Sequence, residues 1–297
     1  MADRVREAVK EEAARLKETH GAAPGLTAVL VGDNKSSQSY VRTKENACRA
    51  LGLNGRSIHL PAETSMDELR KVIEGLNADE TVDAILVQLP LPGHLRTNEV
   101  IGWIRPDKDV DGIHPASLGL LVQNQPGLRP CTPLGVLELI KAAGVAIEGR
   151  DVVIIGRSLI VGKPMAALVT NASGTVTICH SKTKDLAGAA ARADILIAAM
   201  GQAAFVGRDF VKPGALVIDV GTSAVSDPEK IRTLFGDDPA RARDLAEKGY
   251  TLVGDVDPRV IDKAAWLTPV PKGVGPLTIA MLMKNTLEAF KLRRNLA

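Results

Sequence analysis

Rings are scarce in this chain. Aromatic residues make up 3% of its 297 positions, too few for the stacked platforms with which proteins grip single-stranded nucleic acid. Neither sign of charge dominates: 37 Lys and Arg stand against 35 Asp and Glu, a formal net charge of +2. No bulk field therefore draws the protein to nucleic acid or to an anionic membrane, although a small anionic ligand stays open. The three cysteines, Cys48, Cys131 and Cys179, are odd in number and far apart, without the two-residue spacing of a metal site or redox pair. Reduced thiols in a reducing compartment are expected. Long apolar runs are missing as well. The opening MADRVREAVKEEAARLKETHG is charged and helical in period, unlike a secretory signal, and no later run reaches the length of a membrane span. A cytoplasmic protein without a membrane or nucleic-acid partner is expected.

What is present is alternation. Short Val/Ile/Leu runs, TAVLVG (27–32), RSIHLP (56–61) and DAILVQLPL (83–91), are separated by amphipathic stretches through Tyr40 and from Met66. This is the pattern of strand–helix–strand units around a parallel sheet. The Pro/Gly-rich NQPGLRPCTPLG and the helical VLELIKAAGV come next. A second series follows: RDVVIIG (150–156), TVTICH (175–180), ADILIAAMG (193–201), GALVIDVG (214–221), YTLVGDV (250–256) and WLTPVP (266–271). A long helical stretch, PLTIAMLMKNTLEAFKLRR, closes the chain. The length suits two domains, each with a core of its own. The expectation is an α/β protein with an N-terminal α/β domain over 1–145, a C-terminal Rossmann-type doubly wound parallel sheet over 146–272, and a cleft between them.

RDVVIIG runs into RSLIVGKPMAALV, a loop opening a helix, with Gly156 and Gly162. Such a turn can deliver a phosphate to free N–H groups at a helix N-terminus, where the dipole also favours anions. Ser158 stands where the usual G-x-G-x-x-G has its second glycine, so tight packing of the turn explains the glycines equally well. The next strand ends in CHSKTK. An NAD site normally offers a carboxylate there to the ribose 2′-hydroxyl. Ser181, Lys182 and Lys184, with Arg157 in reach, suit a 2′-phosphate better, which points to NADP. His180 could be a ligand, although a lone histidine after a strand is more often a satisfied structural residue.

The first half carries polar groups in apolar settings. A helix from the Ser36 cluster puts Tyr40 and Lys44 on one face, either as a surface pair or turned into a site. Gln88 lies within DAILVQLPLP, where a buried amide must find a partner. PDKDVDG places Asp109 and Asp111 in a loop, as ligands, caps or turn formers; it lacks the further carboxylates of a calcium site, and no metal is expected. Open parallel sheets bind outside their strand C-termini, so these three segments can converge. Lys44 beside Gln88 could then move a proton near neutrality, Asp111 could hold the N–H groups of a heterocycle, and Tyr40 could offer it a flat face.

Together these segments resemble the bifunctional methylenetetrahydrofolate dehydrogenase/methenyltetrahydrofolate cyclohydrolase family. The likeness lies in SQSYVRTKENA, ILVQLPLP, PDKDVDG, GLRPCTPLG, VVIIGRSLIVGKP, TVTICHSKT, VIDVG, LVGDVDP and TPVPKGVGPLTIAML, collinear from about residue 27 to 285. The resemblance implies NADP-dependent oxidation of 5,10-methylenetetrahydrofolate and hydrolysis of the methenyl product to 10-formyltetrahydrofolate, within one-carbon metabolism. It implies that Lys44 is essential to hydrolysis, that Gln88 tunes it, that Tyr40 packs on the folate ring and that Asp111 holds the pterin. It further implies folate contacts from Gly275, Pro276 and Thr278, a C-terminal helix (273–297) that packs on the first domain, a cofactor contact near Thr222, and a homodimer joined through the nucleotide domain.

Two departures stand out. Lys272 replaces the first glycine of the family's usual PVPGGVGPMT, so its backbone angle either suits a side chain or has rearranged. Thr222 and Ser223 replace the usual Ile-Asn after DVG. Two rivals remain: a shikimate-dehydrogenase-like NADP oxidoreductase, and a folate- or nucleotide-binding homologue that has lost turnover.

Overall fold

The computed structural model describes residues 1–296. The chain forms two compact α/β units, one of Met1–Leu134 with the residues from Thr278 onward, the other of Gly135–Leu277. The division falls inside a helix, ahead of residue 145, where the helical sequence pattern ends.

In the first unit α1 (Ala2–His20) leads to β1 (Gly25–Val31), α2 (Lys35–Ala50), β2 (Asn54–Leu60), α3 (Met66–Ala78) and β3 (Ala84–Val87). The strands pair in parallel in the order β2-β1-β3. All seven residues of β1 are buried, as expected of the unbroken apolar run of a central parallel strand. Asn34 starts α2 by accepting the N–H of Ser37 at 3.0 Å. A capping box of Ser65 and Glu68 starts α3. Leu69, Ile73 and Leu76, spaced along one face of α3, pack with Val29, Val31, Ile85 and Val87 of the sheet. Three shorter helices follow: α4 (Thr97–Gly102), α5 (Pro115–Val122) and α6 (Cys131–Ala142).

The second unit contains β4 (Asp151–Ile155), α7 (Gly162–Asn171), β5 (Thr175–Cys179), α8 (Leu186–Ala190), β6 (Ile195–Ala198) and β7 (Leu216–Asp219). It continues through β8 (Ser223–Val225), α9 (Pro228–Phe235), α10 (Pro239–Lys248), β9 (Thr251–Val253) and β10 (Trp266–Leu267). Its sheet is parallel, in the order β10-β7-β6-β4-β5, one of the two common doubly wound arrangements. The segment YTLVGDV does contain a strand, but β9 lies outside this sheet and pairs antiparallel with β8 in a two-stranded ribbon. The place beside β7 is taken by β10. No apolar run marks α9 and α10, yet both begin with Asp-Pro, and Asp227 and Asp238 accept first-turn N–H groups there.

The last helix, α11 (Val274–Arg293), belongs to the first unit from Thr278 onward. Asn285 Nδ2 donates to the carbonyls of Val110 and Arg129, both at 2.8 Å. At its end Arg293 and Arg294 reach the Asp83 carboxylate at 2.6 and 2.5 Å. Asp83 is 1% exposed, and breaking a buried pair of this kind costs about 3–5 kcal/mol, because the remaining charge stays buried. No helix among the described residues is long and apolar enough to cross a membrane.

Lys272 has the backbone of a glycine: its φ is +81°, a left-handed angle that costs a residue with a Cβ about 1–2 kcal/mol. Part of this strain should be recoverable. Lys272→Gly is expected to raise the unfolding free energy by about 0.5–1 kcal/mol, the relief being offset in part by the greater freedom of glycine in the unfolded chain. Urea denaturation of the two proteins checks this, and an unchanged or lower midpoint would show that the angle carries no strain.

Candidate active site

With the strand order β2-β1-β3, the chain leaves β1 to one side and returns on the other, so a crevice opens beyond the C-terminal ends of β1 and β3. Gln88 is the first residue past β3, and α2 brings Lys44 to it. Lys44 Nζ donates to Gln88 Oε1 at 2.9 Å. The amide is held in turn: Gln88 Nε2 donates to the Leu89 carbonyl at 2.6 Å, and the Gln88 backbone N–H donates to Val29 at 2.8 Å. Both side chains are half-buried. One helical turn before Lys44, Tyr40 is 54% exposed and leaves its ring open to a ligand.

Asp111 joins this pair. Burial raises its carboxyl above the usual range, while the nearby Lys44 charge pulls it back. Its loop is clamped from three sides. Lys108, with no exposed surface, donates to the carbonyls of Leu76, Asn77 and Asp79 at 2.9, 2.9 and 2.8 Å. A cation is favourable at the C-terminal end of α3; burial, with Arg293 and Arg105 nearby, lowers the ammonium to about 8, so it stays charged at neutral pH. Asp109 accepts from the His114 N–H at 2.8 Å and from the Ser117 hydroxyl of α5 at 2.9 Å. Its other oxygen, Oδ1, is buried without a hydrogen-bond partner among the described residues. Finally, the Val110 carbonyl accepts from Cys131 Sγ at 3.1 Å as well as from Asn285. Gly112, at φ +67°, must be glycine here, because a Cβ would lie 2.3 Å from the Arg129 carbonyl carbon. Thus Asp109 anchors the loop, and Asp111 is the carboxylate beside Lys44.

The remaining folate-side candidates lie on α11. The Thr278 hydroxyl pairs with that of Thr132 at 3.1 Å. Gly275 and Pro276 form the first turn of the helix and fall within the second unit.

In the second unit a cavity of about 560 Å³ lies over the C-terminal ends of β4, β5 and β6. Gly156, Arg157, Ser158 and Ser181 line it, as do Met200, Gln202 and Phe205, which no motif marks. Gly156, at φ +131°, would place a Cβ 2.2 Å from the Ala199 carbonyl oxygen, and Gly162 would place one 2.1 Å from that of Gly156. Gly162 therefore lets α7 approach β4, and it does not line the cavity. The expectation of free N–H groups at the start of α7 needs correcting. Ser158 Oγ accepts from Val161 and Gly162 at 3.1 and 3.4 Å, so Ser158 presents its own hydroxyl in their place. Thr222, exposed just after β7, is not among the lining residues. His180 is structural in part, its Nδ1 accepting the Lys182 N–H at 3.1 Å. The cavity wall carries Arg157 and hydroxyl groups and no carboxylate, a donor set that fits the phosphates of a dinucleotide.

Two family models together match most of the chain. The model described as tetrahydrofolate dehydrogenase/cyclohydrolase, catalytic domain, matches residues 1–111, and that described as the NAD(P)-binding domain matches residues 130–294. The bifunctional protein FolD of Solibacter usitatus is 50% identical over 275 residues, 92% of this chain and 90% of that protein. The crystal structure of the FolD methylenetetrahydrofolate dehydrogenase/cyclohydrolase of Campylobacter jejuni superposes with a TM-score of 0.88 at 42% identity, covering 98% of this chain and 96% of that one. The enzyme of Trypanosoma brucei, solved with NADP and an inhibitor, gives 0.88 at 39% identity, covering 99% and 95%.

The buried Asp109 carboxyl has a consequence for stability. Desolvation pushes it up to about 6 from an ordinary 3.8, so between those values the folded state holds a proton that the unfolded chain has lost. Raising the pH through that window removes stability, on the order of 2–3 kcal/mol. Asp109→Asn cannot titrate. Between pH 4 and pH 6.5 the parent should lose stability relative to the variant by that amount, as read from urea unfolding at each pH. Parallel curves would show that the carboxyl is ionised throughout.

Proposed function

This chain belongs to the tetrahydrofolate dehydrogenase/cyclohydrolase family, and on that premise we propose that it oxidises 5,10-methylenetetrahydrofolate with NADP and hydrolyses the methenyl product to 10-formyltetrahydrofolate. The observation that carries the residue assignment is the 2.9 Å bond from Lys44 to Gln88 at the open ends of β1 and β3, with Asp111 alongside. The family match sets aside the shikimate-dehydrogenase-like alternative. The presence of Tyr40, Lys44, Gln88 and Asp111 together argues against a homologue without turnover.

The two steps ask different things of the protein. In the first, a hydride leaves the one-carbon bridge between N5 and N10, and the bridge becomes a methenyl cation. NADP, when bound, supplies the hydride acceptor. The protein's part is to hold the folate and exclude water, which needs no acid or base. In the second, water adds to the methenyl carbon and the bond from that carbon to N5 breaks, leaving the formyl group on N10; of the two protons of the water one ends on N5 and the other is released to solvent. Lys44 moves the proton of the attacking water, and Gln88 fixes Nζ at the reacting carbon. Asp111 accepts from the pterin N–H groups, Tyr40 covers the ring, and Gly275, Pro276 and Thr278 add contacts on the folate side. Gly156, Arg157, Ser158 and Ser181 hold the cofactor, with Arg157 on the 2′-phosphate. Thr222 is a cofactor contact on resemblance alone. The reading extends to a homodimer in the cytoplasm, where three buried free thiols stay reduced.

Lys44→Ala should lower the hydrolysis of methenyltetrahydrofolate by about 100-fold or more while leaving NADP binding unchanged; equal hydrolysis in variant and parent would refute the assignment. Arg157→Ala should weaken NADP about tenfold more than NAD, the worth of one charge-assisted contact. An equal loss for both dinucleotides would mean that the 2′-phosphate is read elsewhere.

A further inference from the structure

Beneath the cofactor cavity lies a fully buried acid that neither reaction step uses. Asp255, with no exposed surface, follows the short strand β9. Its Oδ2 accepts the backbone N–H groups of Met200 and Gly201 at 2.6 and 3.0 Å, and its Oδ1 accepts that of Gln202 at 2.7 Å. These three consecutive residues form the turn after β6, and Met200 and Gln202 line the cavity. The backbone adds two ties: Ala204 donates to the Gly254 carbonyl at 2.8 Å, and Val206 donates to that of Asp255 at 2.9 Å. The acid is itself held. Its N–H donates to Asp219 Oδ1 at 2.8 Å, and that of Val256 donates to Asp219 Oδ2 at 3.0 Å. The Asp219 backbone N–H in turn donates to the Thr268 hydroxyl at 2.6 Å. Gly221, one residue before Thr222, is where the carboxylate needs space: a Cβ there would lie 2.0 Å from Asp255 Cγ.

We propose that Asp255 is a positioning residue for the cofactor, its buried carboxylate gathering the N–H groups of residues 200–202 and thereby shaping the wall against which NADP binds. The inference rests on the assignment of this cavity to NADP. A carboxylate is required because it accepts on both oxygens. An amide of the same shape accepts on one, and turns an NH₂ toward at least one backbone N–H, which must then swing away. The turn would lose its fixed shape while the surrounding core stays packed.

The test is Asp255→Asn, with NADP affinity measured by titration calorimetry and hydrolysis of methenyltetrahydrofolate, which consumes no NADP, measured beside it. The expected result is an NADP Kd raised at least tenfold with hydrolysis within about twofold of the parent. Val260→Ala serves as the control for general loosening, since Val260 is fully buried in the same core cluster and does not line the cavity; its Kd should not move. An unchanged Kd in Asp255→Asn, or an equal rise in Val260→Ala, overturns the proposal. Should Asp255→Asn not fold, Gly221→Ala, whose methyl displaces the carboxylate, decides by the same readouts. The cavity assignment is tested separately by Arg157→Ala. If that variant binds NADP normally the cavity is wrongly assigned, whereas weak binding there beside normal binding in Asp255→Asn removes Asp255 alone.

Discussion

Parallel strands cannot be joined by hairpins, so each must be followed by a crossover, and where successive crossovers pass to opposite sides of a strand the sheet is left open at its C-terminal end. This constraint governs both units. In the first, β1 lies between β2 and β3; in the second, β4 lies between β5 and β6. The Lys44–Gln88 bond stands at the first opening and the 560 Å³ cavity at the second. Chemistry has entered where topology left backbone and side chains uncovered. The apolar strands β1, β4, β6 and β7 supply the rigidity behind it, with at most one exposed residue in each.

The loops at these openings owe their shape to charges buried away from water. Lys108, Asp109 and Asp255 are each at most 1% exposed, and none forms an ion pair among the described residues. Dipoles answer them, most from the backbone: three carbonyls for Lys108, the His114 N–H with the Ser117 side-chain hydroxyl for Asp109, and three N–H groups for Asp255. An ionised side chain that satisfies several backbone dipoles in a low dielectric fixes them more tightly than a neutral one does. The cost appears where satisfaction is incomplete, as at Asp109 Oδ1 and in the raised Asp109 carboxyl. Asp219, pushed up to about 7 by its burial, carries the same cost where it accepts the N–H groups of Asp255 and Val256.

The parts legible in the sequence were those encoded locally. Alternating apolar runs announced the parallel strands, the spacing of Tyr40 and Lys44 announced a shared helix face, and the end of β5 announced a site without a carboxylate. Contacts between distant segments were not legible. Lys108 looks like one more cation of a charged loop until α3 presents its last carbonyls to it. Asn285 looks like a polar position on a long helix until Val110, 175 positions away, accepts its N–H. Strand β9 has the composition of its neighbours, yet β10 takes the place beside β7 and β9 pairs with β8 in the ribbon. The Ser158 side chain was read as a missing glycine, whereas its hydroxyl takes up the N–H groups that a glycine would have left bare.

On the proposed assignment of the sites, the distribution of side chains between the units matches the two reaction steps. Hydrolysis moves protons, and the first unit sets an ammonium in contact with an amide, with the Asp111 carboxyl feeling the ammonium charge. Hydride transfer moves none, and the cavity of the second unit offers hydroxyls, Arg157 and backbone, while the buried Asp255 is occupied by the N–H groups of residues 200–202. A carboxylate turned into that cavity would repel the phosphates of a dinucleotide; the same carboxylate spent on backbone N–H groups orders the wall and leaves the positive charge of Arg157 to act on the ligand. Burial of Asp255 and the presence of Arg157 in the wall are thus two sides of one arrangement, in which an acid spent on backbone N–H groups shapes the cavity and a cation faces the ligand proposed for it.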